Sequence, residues 1–212
     1  MKIGVIQATS QKDKNELLNQ CVVTAGEPYG HEVINSGCFA DEPGSYSYIE
    51  IAVLVSLLLA SGAVDFVVTG CSSGQGMMLA CNSLPNIICG YVQNPQDAFL
   101  FGRINDGNAV SIPLGLNYGW AGEINLQYTI EKLFAGEFGI GYPPKDAARK
   151  RKDTLLLKEL HALTKRKATD VLKQMDETLI QKMIQKRNVI AYILKYGQEK
   201  ELLEFLRQCK NC

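Results

Sequence analysis

A β-type apolar run, Val64 to Thr69, breaks into Gly70-Cys71-Ser72-Ser73-Gly74-Gln75-Gly76 and then turns helical in pattern at Met77-Met78. A strand, a loop of small residues and a helix start, in that order, open a βαβ unit of a layered α/β fold. Such a loop lets backbone N–H groups approach an anion at a helix N-terminus, where the dipole favours negative charge. It also sets one thiol, Cys71, at the carboxyl end of a strand, where open α/β sheets take their ligands. Phosphate cradle and thiol together point to chemistry on a small phosphorylated molecule.

The same alternation runs through the first two thirds of the chain. Lys2 to Ile6 reads as a strand, Asp13 to Val23 as a helix and Glu32 to Asn35 as a second strand. Tyr48 to Ala60 is an almost wholly apolar helix, which implies burial on more than one side. After the third strand, Gly76 to Ser83 reads as a helix, Asn86 to Val92 as a strand and Pro95 to Asn105 as a helix. Ala109 to Leu114 and Gly122 to Phe134 give a fifth strand and a further helix. Strands separated by helices predict a three-layer α/β/α sandwich around a five-stranded parallel, Rossmann-like sheet. Beyond the turn-rich link at Glu137 to Pro144 the chain is basic (Lys145 to Lys152) and then strongly helical. The expected division is an α/β domain over 1–142 and a helical C-terminal extension over 143–212, packed on the sandwich or on a second subunit.

Composition narrows the functional classes. Twenty-two Lys and Arg balance twenty-two Asp and Glu, so no whole-chain field points to nucleic acid or an anionic membrane. The apolar stretch Ile49 to Ala60 is too short to span a bilayer, and Met1 to Ile6 lacks the layout of a signal peptide. Seven cysteines, an odd number at irregular spacing, argue against a disulfide framework and for a reducing compartment, which makes the cytoplasm the expected location. Cys209 and Cys212 form a lone Cys-x-x-Cys with no second ligand pair, so no metal site is expected. No glycine fingerprint follows the first strand, which argues against a dinucleotide.

Several phrases resemble one family. Lys2-Ile3-Gly4-Val5, Gly30-His31-Glu32-Val33-Ile34, Tyr46-Ser47-Tyr48, Cys71 to Met77 and Asn105-Asp106-Gly107-Asn108 are similar, in order and spacing, to the type B ribose-5-phosphate isomerases and the related galactose-6-phosphate isomerase subunits. The resemblance covers about residues 1–142. It implies an aldose–ketose isomerase of a pentose or hexose phosphate, working through a cis-enediolate without metal or organic cofactor. Cys71 matches the thiol that moves the proton, and Ser72, Ser73, Gly74 and Gly76 match the loop that stabilises the enediolate oxygen, with Ser73 in a catalytic place. Tyr46 matches a pocket-lining aromatic, and Asn94, Asn105, Asp106 and Asn108 would orient sugar hydroxyls. The resemblance also implies a homodimer or homotetramer with sites between subunits. Apart from the family, a thiol at a helix N-terminus ionises more readily than a free one and is then a competent base for a proton α to a carbonyl.

The departures are specific. Ala8 and Thr9 stand where the family has Asp-His, and Gln93 stands where it has the ring-opening His, beside Asn94. The Arg pair that binds phosphate is missing near Gly141 to Pro144, leaving Thr9, Lys145 and Arg149 as candidate phosphate ligands. His31 and His161 fall at no matched position and read as a turn residue and a surface residue. A glutamine does not take a proton at neutral pH, so altered specificity, or an open-chain substrate, is expected. Two other readings stay open: a sugar-phosphate-binding protein or subunit of a hetero-oligomeric isomerase, and a thiol-dependent lyase or hydrolase. The basic run sits where the Arg pair belongs, so the extension is expected to replace the phosphate clamp or to enlarge a subunit interface.

Overall fold

A computed structural model describes residues 1–210. Five strands, β1 (Lys2–Ile6), β2 (Glu32–Gly37), β3 (Phe66–Cys71), β4 (Cys89–Tyr91) and β5 (Ala109–Pro113), form one sheet in the order β2-β1-β3-β5-β4. Every pairing is parallel. The chain leaves β1 toward β2 and then returns to the other side of β1 with β3. The carboxyl ends of β1 and β3 therefore flank a switch point, where such sheets bind ligands.

Side chains alternate across the sheet as its pleat requires. Ile3, Val5, Phe66, Val68, Val110 and Ile112 face one core, shared with α1 (Asn15–Gly26), α4 (Pro95–Leu100) and α5 (Gly122–Phe134). Ile6, Val67, Cys71 and Ala109 face the other, under α2 (Tyr48–Ala60) and α3 (Gln75–Ser83). The expected sandwich is present, with α2 and α5 bounded as their patterns predict. The third strand runs later than expected and carries Gly70 and Cys71 as its last residues, paired with Ile112 and Pro113 of β5. The fourth is shorter than the apolar run 86–92. Ile88 N–H is taken by Asn108 Oδ1 at 2.8 Å, so that residue leaves the ladder. The expected helix 95–105 ends in a π turn, Phe101–Asn105, which directs buried Arg103 onto the Leu133 carbonyl of α5 at 3.1 Å and the Ala135 carbonyl just past its end.

After α5 the chain forms α6 (Ala147–Thr164), α7 (Ala168–Leu172), α8 (Glu177–Ile184), α9 (Arg187–Tyr196) and α10 (Lys200–Lys210). Helices α7 to α9 pack on α2, α10 packs on those three, and their apolar side chains join its core. This explains a helix without a polar face: one side of α2 meets the sheet and the other meets the extension. Its start is fixed by a capping box, with Ser47 Oγ accepting from Glu50 N–H and the Glu50 carboxylate accepting from Ser47 N–H. Cys81 and Cys89 are buried in the core, as expected. The Cys209-Cys212 pair falls partly outside the described residues. Among the described residues, no helix is long and apolar enough to cross a membrane.

Candidate active site

Cys71 closes β3 at 8% exposure, and the Gly74 N–H donates to its Sγ at 3.2 Å. That bond exists because the loop curls back through Gly74, whose φ of +72° is the left-handed region. A Cβ there would lie 2.8 Å from Pro113 N and from a Tyr91 ring carbon. Both the backbone angle and the close approach require glycine. The loop is pinned from outside: the Tyr91 hydroxyl donates to Ser73 O at 3.0 Å, and Ser72 O accepts from the N–H groups of Gly115 and Leu116.

The thiol opens onto a cavity of about 580 Å³. Its walls are Ala8, Thr9 and Ser10 after β1, Tyr46 and Tyr48 at the head of α2, and Ser72, Ser73 and Gly76 at the head of α3. Two helix N-termini thus converge on one space, and their dipoles favour negative charge in it. They differ in one respect. The first turn of α2 is capped by Ser47, whereas α3, like α1, α5, α6, α7 and α9, has no side-chain cap. The N–H groups of Gln75, Gly76 and Met77 therefore have neither an intrahelical carbonyl nor a capping oxygen to meet. Of the three residues, Gly76 lines the cavity together with Cys71 and offers its N–H to an incoming oxygen.

Burial, with Glu131 nearby, pushes the Cys21 thiol up to about 11. Burial raises Cys38 as well, and a hydrogen bond with Cys81 together with burial raises Cys89. These are protonated core thiols at neutral pH.

Of the expected site residues, Cys71, Ser72, Ser73, Gly76 and Tyr46 line this cavity, and Gly74 shapes it. Thr9 also lines it, but its hydroxyl accepts from Tyr46 N–H at 2.8 Å and donates to Cys38 Sγ at 3.3 Å. It clamps the 38–46 segment. Gln93 and Asn94 open onto a separate cleft with Asn117 and Asn125, and the Asn94 oxygen is spent capping α4. The reason is topological: β5 lies between β3 and β4, so the end of β4 is two strands away from Cys71.

Asn105, Asp106 and Asn108 lie at the amino edge of the sheet, the far end from Cys71 in the same chain. Asn108 bonds Ile88 N–H and Asn86 O, and Asp106 pairs with Lys158 of α6. Lys145 and Arg149 are exposed at the start of α6, with Arg149 paired to Asp153 at 3.0 Å, and neither lines the cavity. His31 meets the amino terminus at 3.3 Å and the edge of Phe134. His161 is half-buried in a second cavity of about 370 Å³, where burial and Lys165 lower its pKa.

Sequence reasoning missed several contributors. Ser10, Tyr48 and Glu50 line the cavity, and the Ser47-x-x-Glu50 capping signal before an apolar run was the visible clue to the last. Gln11 reaches Ser72 Oγ at 2.9 Å. Among the described residues, no three His, Cys, Asp or Glu side chains are grouped to hold a metal ion.

A family profile described as Ribose/Galactose Isomerase matches residues 4–135. The crystal structure of a 4-deoxy-L-threo-5-hexosulose-uronate ketol-isomerase complexed with a tartrate is 36% identical, with all of both chains covered and a TM-score of 0.95. A ribose-5-phosphate isomerase from Vibrio parahaemolyticus is also 36% identical over 99% of both chains, with a TM-score of 0.92. The type B ribose 5-phosphate isomerase of Trypanosoma cruzi shares the fold at 20% identity and a TM-score of 0.59, covering 75% of this chain and 99% of its own. No curated protein matched the chain. A parallel sheet with a thiol at its switch point, a profile over most of the sandwich and full-length likeness to two sugar isomerases agree: the chain belongs to the ribose/galactose isomerase family.

Proposed function

We propose that this chain is an aldose–ketose isomerase needing no metal or organic cofactor, with Cys71 as the base and an open-chain sugar acid of the hexosulose-uronate type as substrate. The observation that carries the reading is the uncapped start of α3 beside the thiol. The thiolate takes the proton from the carbon next to the carbonyl, and the electron pair moves onto the carbonyl oxygen. The free Gly76 N–H meets that oxygen as it becomes negative, which is the larger electrostatic contribution. Cys71 then returns the proton to the neighbouring carbon, and the Ser73 hydroxyl passes the remaining proton between the two oxygens.

An open-chain substrate fits because neither histidine of this chain borders the cavity, so the imidazole that would open a ring is not supplied from within it. The full-length relatives are named for a hexosulose uronate and for ribose 5-phosphate, so both compounds belong in the test. Proton–deuterium exchange followed by NMR in D₂O should show turnover of the uronate, with kcat/KM at least about tenfold above that for ribose 5-phosphate. A preference for ribose 5-phosphate would overturn the substrate assignment. Exchange with neither would overturn the enzyme.

The working unit is a homo-oligomer. Helix α6 turns Thr154 and Lys158 to its own body, through Ile104 O and Asp106, while Leu156, Leu160 and Leu163 stay exposed and Trp120 is wholly so. An outward apolar stripe of this kind marks a surface that another protein covers. Sedimentation should give a mass of two or four chains, and a monomer at micromolar concentration would exclude it.

A further inference from the structure

The wall that Tyr46 contributes to the Cys71 cavity is held from behind by the C-terminal extension. Lys186, in the turn between α8 and α9, has a fully buried side chain. Its ammonium meets both carboxylate oxygens of Glu42, at 2.7 and 2.8 Å, and Asn188 Oδ1 at 3.2 Å. Three donors therefore have three acceptors. The rings of Phe39 and Tyr46 flank the charge, with centroids 5.2 and 5.7 Å from Nζ. The ammonium enters beside Gly37, where a Cβ would stand 2.9 Å from it.

Glu42 passes the restraint on. Its carboxylate also accepts from Phe39 N–H at 3.1 Å, which closes the 39–42 turn. Asn188 Nδ2 donates to Ser36 O at 3.1 Å, fastening the same segment at its start. The segment then runs to Tyr46, which is tied to Thr9 through both its N–H and its C=O. Tyr46 is the partition between the Cys71 cavity and an outer groove lined by Lys182 and Arg187. Lys182 Nζ lies 5.1 Å from the centroid of that ring.

A buried ion pair is a poor device for stability alone, because its desolvation cost offsets its attraction and an apolar pair of similar size would serve as well. What it provides here is a fixed position. We infer that Lys186 is a positioning residue of the isomerase site, fixing Glu42 and the 36–46 segment so that Tyr46 stands as a wall of the Cys71 cavity. This inference rests on the reading of that cavity as the isomerase site. The C-terminal extension is thereby part of the active site, acting through a contact 144 residues apart in the chain.

The test uses the full chain with Lys186→Met and Glu42→Gln combined, so that no charge is left buried and unpaired. Tm should stay near that of the wild type, while KM rises at least about fivefold with kcat nearly unchanged, as when binding is lost equally from the ground and transition states. Peptide-resolved iodoacetamide labelling should show Cys71 alkylated at least about threefold faster, since a looser wall admits the reagent. If the double variant fails to fold, Lys186→Met alone replaces it, because the Glu42 carboxylate it leaves behind keeps some contact with solvent and its bond to Phe39 N–H. A folded variant with wild-type KM and wild-type Cys71 labelling overturns the inference. Labelling needs no turnover, so it still decides about Lys186 if the wild type isomerises neither test sugar and the proposed function fails.

Discussion

Replacing Cys71 with Ala or Ser is expected to lower kcat about 10²- to 10⁴-fold, the usual contribution of one acid–base group, while the protein stays folded. The loss comes from chemistry, because the thiol is at the end of β3 and, among the described residues, only one hydrogen bond, from Gly74 N–H, reaches its sulfur. A shift in stability of about 1 kcal/mol is typical of such a substitution. Serine keeps the shape and the Gly74 contact but is not ionised near neutral pH, so it should be as impaired as alanine. Steady-state kinetics beside a thermal melt separates the two effects. A Cys71→Ser enzyme within tenfold of the wild type would remove the thiol from the mechanism.

Deleting the chain from Ala147 onward is expected to abolish the stable fold rather than to leave a smaller enzyme. Among the described residues, nine apolar side chains of the extension, from Leu172 to Leu206, are buried in the core that α2 shares with the sheet. At about 1.5–3 kcal/mol each, their loss matches or exceeds the roughly 5–15 kcal/mol by which a domain is normally stable. It would also bare the outer face of α2, whose Val53 and Leu57 are 2% exposed in the intact chain. A graded version of the same experiment is Ile193→Ala in α9, a fully buried position, which should cost about 2–5 kcal/mol by transfer and cavity terms together. Chemical denaturation measures this directly. A soluble, cooperatively folding 1–146 fragment would show that α2 tolerates solvent on one side.

These expectations explain why relatives that share only the sandwich say less about this chain than those that share its full length. The type B enzyme of Trypanosoma cruzi is covered almost completely yet spans three quarters of this chain. The two full-length relatives match the extension too. Since Lys186 and Glu42 brace the wall that carries Tyr46, the extension is in a position to influence what the cavity accepts.

Much of the fold was legible locally. The strand, small-residue loop and helix around Cys71 was readable because each step depends on neighbouring residues: β-branched side chains, then glycine where φ is positive, then helical spacing. The apolar character of α2 correctly implied cover on two sides, and its Ser47-x-x-Glu50 box marked where it starts. Tyr46, which lines the same cavity as the thiol loop, was signalled by the family resemblance rather than by local pattern. Residues whose role depends on strand order were not legible locally. Gln93 and Asn94 follow a strand just as Cys71 does, but β4 is an edge strand with β5 between it and β3. Asn105, Asp106 and Asn108 follow a helix that carries the chain back to the opposite edge of the sheet.

The sequence by itself therefore determined the layer architecture, the thiol and its glycine loop, because periodicity and backbone restriction act over a few residues. Only the tertiary structure decided which strand ends share a cavity, that the basic run at Lys145 stays outside it, and that a lysine from the far end of the chain braces its wall. Those outcomes depend on strand order and on the pairing of a buried charge, and neither leaves a local mark in the chain.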